Sequence, residues 1–257
     1  MAILRLEEVC KDFGGIKAVD NLSLEIDEGR LTALIGPNGS GKTTLFNVIT
    51  GITQTTRGRI FFEGQNVGGM HSHRITEMGI ARTFQNIRLF NALSVVENVM
   101  AGQHSRTGAG FLSSVFRSRK AMEERSASFE KAMALLKFVG LGENAFDLAV
   151  NLPYGRKRLV EIARAMAAEP KLLLLDEPAA GMNETETERL KGLLREIHGK
   201  RRIAIFLVEH DMKLVMGIAD WICVLDHGAK ICEGEACMVK DDPKVIEAYL
   251  GKEVKTC

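Results

Sequence analysis

The sequence predicts an α/β domain with a mainly parallel sheet, preceded by an antiparallel β region and interrupted by a helical block. Three patterns point there. Strand-length apolar runs at Leu31–Ile35, Leu172–Leu175 and Ile203–Val208 are separated by helical periodicity, which calls for parallel strands joined by right-handed crossovers. Residues 3–8 and 22–26 instead alternate apolar and polar side chains, the period of half-buried strands. Between about residues 89 and 155 the strand signal stops and helical spacing takes over.

Taken in order, Phe13-Gly14-Gly15 separates the two alternating segments as a turn. Leu31–Ile35 reads as a buried strand running into a glycine-rich turn. Lys42–Thr50 continues at helical spacing with Leu45, Val48 and Ile49 on one face. Arg59–Glu63 is a further strand. Residues 93–102 and 119–139 are helical, the second with Ala132, Leu135, Leu136 and Val139 in one stripe. His104–Ser118 lies between them, rich in Gly, Ser and Arg, and reads as an exposed loop with a short helix. From Arg156 the alternation returns as helix Arg156–Ala168, strand Lys171–Leu175, helix Glu184–His198, strand Ile203–Val208 and helix Lys213–Ala219. Ile222–Leu225 and Lys230–Glu233 pair across Asp226-His227-Gly228 as a hairpin. The expected division is a core of residues 1–88 and 156–257 around a helical subdomain of residues 89–155.

Composition narrows the function. The chain has 257 residues, with 34 Lys plus Arg against 33 Asp plus Glu, so charge supplies no reason to expect nucleic acid as a partner. No run approaches the ~18 apolar residues of a membrane span, and the N-terminus lacks the profile of a signal peptide. Work at a membrane would require a partner. Cys10, Cys223, Cys232, Cys237 and Cys257 form no C-x-x-C pair, which reads as reduced thiols rather than a zinc site.

Gly36-Pro37-Asn38-Gly39-Ser40-Gly41-Lys42-Thr43 matches G-x-x-x-x-G-K-[ST], after an apolar strand and before a helix. Its glycines let backbone N–H groups turn inward as a cradle for phosphate oxygens, and the helix that follows adds its positive end. Lys42 is expected to neutralise β- and γ-phosphates and the Thr43 hydroxyl to hold Mg²⁺, with Thr44 next in the same nucleotide-binding set. Leu172-Leu173-Leu174-Leu175 ends in Asp176-Glu177, two carboxylates at the edge of a buried strand. Asp176 fits the metal and Glu177 the attacking water. A second strand ends in Glu209-His210-Asp211, where His210 can bond a γ-phosphate oxygen and that water. Gln85, where core gives way to helical block, can sense both Mg²⁺ and water without competing as a base.

These segments, with Leu152-Pro153-Tyr154-Gly155-Arg156, Leu175-Asp176-Glu177-Pro178 and Ala180-Gly181-Met182-Asn183, occur in an order that resembles ABC transporter ATPases over essentially the whole chain. The resemblance implies a P-loop NTPase core with an inserted α-helical subdomain. It also implies two cassettes sandwiching two ATP molecules, each site completed by the partner's Tyr154, Gly155, Arg156 and Gly181, with Phe13 stacked on adenine. Pro153 stands where the family's signature has serine, and Tyr154 where it has glycine, so one hydrogen bond to nucleotide is expected to be lost. Gly79-Ile80-Ala81-Arg82-Thr83-Phe84-Gln85, Arg88-Leu89-Phe90 and the ending Asp242–Gly251 resemble the ATP-binding subunits of high-affinity branched-chain amino acid importers. That branch implies permease subunits, a second identical or sister ATPase, an extracytoplasmic substrate-binding protein acting indirectly, and a peripheral place on the cytoplasmic face of the membrane. Importers of urea and amides, lipopolysaccharide-extracting ATPases and soluble ABC ATPases are the alternatives.

Overall fold

The computed structural model describes residues 1–104 and 119–250. Strands β1 (Ala2–Phe13) and β2 (Ile16–Asp27) form a hairpin through Gly14-Gly15, and β4 (Arg57–Phe62) pairs antiparallel with the other side of β1. The short β5 (Gln65–Asn66) ends this sheet, ordered β2-β1-β4-β5. Both long strands outrun their alternating segments, because pairing along the hairpin carries polar residues such as Lys11 and Lys17 into the ladder.

The second sheet has the order β10-β9-β3-β8-β7-β6. It comprises β3 (Leu31–Ile35), β6 (Ile80–Arg82), β7 (Leu172–Asp176), β8 (Ala204–Val208), β9 (Trp221–Asp226) and β10 (Ala229–Gly234). All pairings are parallel except the β9–β10 hairpin. Every residue of β3, β7 and β8 is buried, as expected of strands covered on both faces.

Alternate residues divide the core between those faces. Leu172, Leu174, Phe206 and Val208 pack with Leu45, Phe46 and Ile49 of helix α1 (Lys42–Ile49) and with Leu4, Leu6 and Phe62 of the antiparallel sheet. Leu173, Leu175, Ile205 and Leu207 meet the helices α3 (Val95–Ala101), α4 (Arg119–Phe138), α5 (Tyr154–Ala167) and α6 (Glu184–Arg201), the last three preceded in the chain by α2 (Ser72–Met78) as well as α3. A third cluster joins Ala33, Ile35, Ile222 and Val224 to α7 (Met212–Ile218), α8 (Ala236–Lys240) and α9 (Pro243–Leu250). Phe206 is fully buried with its ring centroid 5.1 Å from that of Phe46. Phe206→Ala is expected to cost about 3–5 kcal/mol, read as a lowered denaturation midpoint. A loss below about 1 kcal/mol would mean that this ring does not hold α1 against the sheet.

Several elements differ from the sequence reading. Helix α2 and strand β6 carry too few residues for a periodic signal, yet β6 completes the parallel sheet by pairing with β7. Helix α5 begins at Tyr154 with Pro153 as its N-cap, two residues earlier than expected, because proline before a first turn gives up no helical hydrogen bond. Of the loop expected at His104–Ser118, all but His104 lies outside the described residues, as does Cys257. No helix among the described residues is long and apolar enough to cross a membrane.

This topology positions the site. Four neighbouring parallel strands, β3, β8, β7 and β6, deliver the segments that follow them to one edge of the sheet.

Candidate functional site

The glycine loop follows β3. Gly36 has φ +150° and a Cβ there would stand 2.1 Å from the Leu225 carbonyl oxygen; Gly41 has φ +102° and its Cβ would stand 2.2 Å from that of Ala18. Only glycine meets both conditions. The loop curls around Lys42, whose Nζ donates to the Gly36 and Pro37 carbonyls at 2.8 Å and to Ser40 Oγ at 3.3 Å. Burial lowers the Lys42 pKa, and the nearby Glu177 and Asp176 charges oppose that shift. Thr43 and Thr44 occupy the first turn of α1, with the Thr43 side chain exposed.

The carboxylates face the loop from the end of β7. Asp176 is 1% exposed, and its Oδ2 accepts from Arg82 Nη2 at 2.8 Å. Arg82 is held in turn by Asn47 Oδ1 at 2.7 Å, on helix α1. Burial raises the Asp176 pKa, the Arg82 hydrogen bond and charge pull it back, and Glu177 adds to the rise. Its second oxygen, Oδ1, is buried without a hydrogen-bond partner.

Glu177 leaves the strand in a left-handed conformation, φ +48°, anchored by its N–H to the Val208 carbonyl at 2.9 Å. That turn directs its carboxylate away from the strand. Gln85 Nε2 donates to Oε2 at 2.9 Å, and His210 Nε2 lies 2.8 Å from Oε1. Residues from three strand ends therefore converge on one carboxylate. Asn38, Gly39, Ser40, Gly41, Lys42, Thr43 and Thr44 line a cleft of about 400 Å³ together with Gln85, Glu177 and His210. Ile16, Lys17 and Ala18 of β2 form a further wall. Phe13 is 51% exposed at the tip of the same hairpin, opposite Ile16, with Lys11 Nζ 4.7 Å from its ring centroid.

Tyr154, Gly155, Arg156 and Gly181 do not line this cleft. The Tyr154 ring lies beside Gly181, where a Cβ would be 3.1 Å from Cε1, and Arg156 reaches Asn144 Oδ1 at 3.2 Å. Gly155 packs against Glu186, whose Oε1 would be 2.7 Å from a Cβ.

The sequence reading missed four charged residues that organise the site. Arg82 holds Asp176. Glu209, buried, accepts from the Ala179 N–H at 2.7 Å through Oε1 and from the His210 N–H at 3.1 Å through Oε2, joining the segments that follow β7 and β8. Burial raises its pKa and those backbone bonds counteract the rise. Arg158 and Glu161 form a buried pair on α5. The last pair had a legible signal, since charges at i and i+3 fall on the face of the helix that carries Ile162 and Ala165 into the core.

A glycine cradle with its lysine, facing carboxylates at the end of the next parallel strand but one, defines a nucleoside-triphosphate hydrolase by class. The profile of the family described as "ABC transporter" matches residues 19–180. The chain belongs to that family and is an ATPase. It is 41% identical over 250 residues to the high-affinity branched-chain amino acid transport ATP-binding protein BraF of Pseudomonas aeruginosa, covering 97% of this chain and 98% of the relative. Identity and coverage are the same for LivG of Escherichia coli K12. Among solved structures, an ATP-binding cassette of an ABC transporter in its ADP conformation superposes with a TM-score of 0.84 at 34% identity, covering 98% of this chain and 100% of the other.

Proposed function

We propose that this chain binds and hydrolyses ATP with Mg²⁺ to energise import of branched-chain amino acids through a membrane permease. The observation that carries the catalytic part is the Glu177 carboxylate, held by Gln85 and His210 on the cleft wall that faces Lys42. In this reading the cradle of residues 36–44 and Lys42 hold the triphosphate. Phe13, exposed at the hairpin tip beside the cleft, stacks on the adenine.

The donor set fits magnesium. Asp176 keeps a buried oxygen without a protein partner, and Thr43 and Gln85 offer neutral oxygens at the cleft. Asp176, Thr43 and Gln85 would hold the ion, which when bound supplies charge neutralisation for the β- and γ-phosphates. Glu177 orients water for in-line attack on the γ-phosphate, and His210 bonds the transferring group and keeps Glu177 aligned. Residues 1–88 and 156–257 act as the ATP-binding core and residues 89–155 as the helical subdomain. Tyr154, Gly155, Arg156 and Gly181, lying off their own cleft, complete the site of a second ATPase subunit.

The permease contact has a fitting surface. Val96, Met100, Met122, Phe129 and Phe146 line a groove of about 690 Å³ on the helical region, and Phe146 is 73% exposed. Such an apolar groove suits an amphipathic helix of a membrane partner. It would hold the chain peripherally on the cytoplasmic face, with the extracytoplasmic binding protein acting through the permease. The cargo assignment is supported by the names of the relatives described above. With the cognate permease and binding protein in proteoliposomes, leucine, isoleucine or valine is expected to stimulate ATP hydrolysis. Stimulation by urea or short amides instead would reassign the cargo.

A further inference from the structure

Helix α5 carries two charges where its packing face meets the core. The Arg158 side chain is 0% exposed and that of Glu161 1%, with Nη1 and Oε2 2.8 Å apart. A buried ion pair rarely improves on apolar residues of the same volume, so its presence calls for another reason. The remaining hydrogen bonds supply it. Arg158 donates to the Phe84 carbonyl at 2.5 Å through Nη1 and to the Gln85 carbonyl at 2.7 Å through Nη2. Glu161 Oε1 accepts from the N–H groups of Phe84 and Arg88, both at 3.4 Å. Arg164 donates to the Arg88 carbonyl. The backbone on both sides of Gln85 is therefore hung from a single helix, while the Gln85 side chain reaches Glu177.

The other end of this link is equally defined. Arg158 Nη2 lies 3.4 Å from the Tyr154 hydroxyl, in the first turn of the same helix, and the Tyr154 ring borders Gly181. Tyr154, Gly155 and Arg156 are the residues that the proposed function sets against the partner subunit's nucleotide. Tyr154 and Arg158 stand about one turn apart on one helix, so the placement of its first turn and of segment 84–88 is shared through Arg158.

We propose that Arg158 and Glu161 are positioning residues that relay the placement of the Tyr154–Arg156 turn to Gln85, and so hold the Gln85 amide on Glu177. This rests on the reading of Gln85 and Glu177 given under Proposed function. The relay explains the choice of arginine: its planar fork meets two carbonyls and a carboxylate together, which a lysine ammonium cannot do from one position.

The test is a double-mutant cycle on the full chain with magnesium and ATP, using Arg158→Lys, Gln85→Ala and the double variant. Arg158→Lys is expected to lower kcat by about tenfold or more, with binding of a fluorescent ATP analogue changed less than about twofold. In the Gln85→Ala background the same substitution is expected to change turnover by less than about twofold, because its effect passes through Gln85. If Gln85→Ala impairs turnover and Arg158→Lys adds its full effect on top, the relay is overturned and the role of Gln85 stands. If Gln85→Ala leaves turnover intact, the role of Gln85 falls and the relay with it. Glu161→Gln takes the place of Arg158→Lys in the cycle should the latter not fold. Loss of the fold in both overturns the proposal, since the pair would then hold the core together rather than position one loop.

Discussion

Glu177→Gln is expected to lower ATP turnover by about 100- to 10,000-fold, the range of a lost general base, while ATP binding changes less than about threefold. The two side chains have the same shape, so the left-handed turn at Glu177 and the approach of Gln85 and His210 can persist. What disappears is the negative charge that orients and polarises water. Because that charge matters most where it faces the developing phosphoryl transition state, the loss falls on kcat and not on KM. Single-turnover phosphate release, paired with equilibrium binding of a fluorescent ATP analogue, separates the two quantities. Retention of more than about a tenth of wild-type turnover would remove Glu177 from the chemistry.

Lys42→Ala is expected to act earlier, on nucleotide binding. The Lys42 ammonium lies inside the loop, bonded to the Gly36 and Pro37 carbonyls and to Ser40 Oγ, so it is already confined where triphosphate oxygens would come. Charge-assisted bonds to phosphate are among the strongest that a side chain makes. Truncating one partner of a buried charge pair costs about 2 kcal/mol or more, which is about 30-fold in affinity. The variant also strips three acceptors of their shared donor and loosens the cradle. Binding within about threefold of the wild type would show that the backbone N–H groups carry the phosphates without it.

The parts of this protein that the sequence determined alone are those whose physics is local. A strand buried on both faces has to read as an unbroken apolar run, and β3, β7 and β8 do. The glycine loop has to place glycine where a Cβ would strike backbone, so Gly36 and Gly41 are visible as spacing before they are visible as collisions. Two carboxylates at the end of a buried strand likewise announce themselves. Tertiary structure alone decided who accompanies them. Arg82 and Asp176, Arg158 and Gln85, Glu209 and Ala179 are paired across long stretches of chain, and nothing in the residues beside each one names its partner. The physical reason is that burial sets their value: a charge withdrawn from water needs a partner in space, and only the packing of α5, β6 and β8 around the sheet edge determines which group stands within reach.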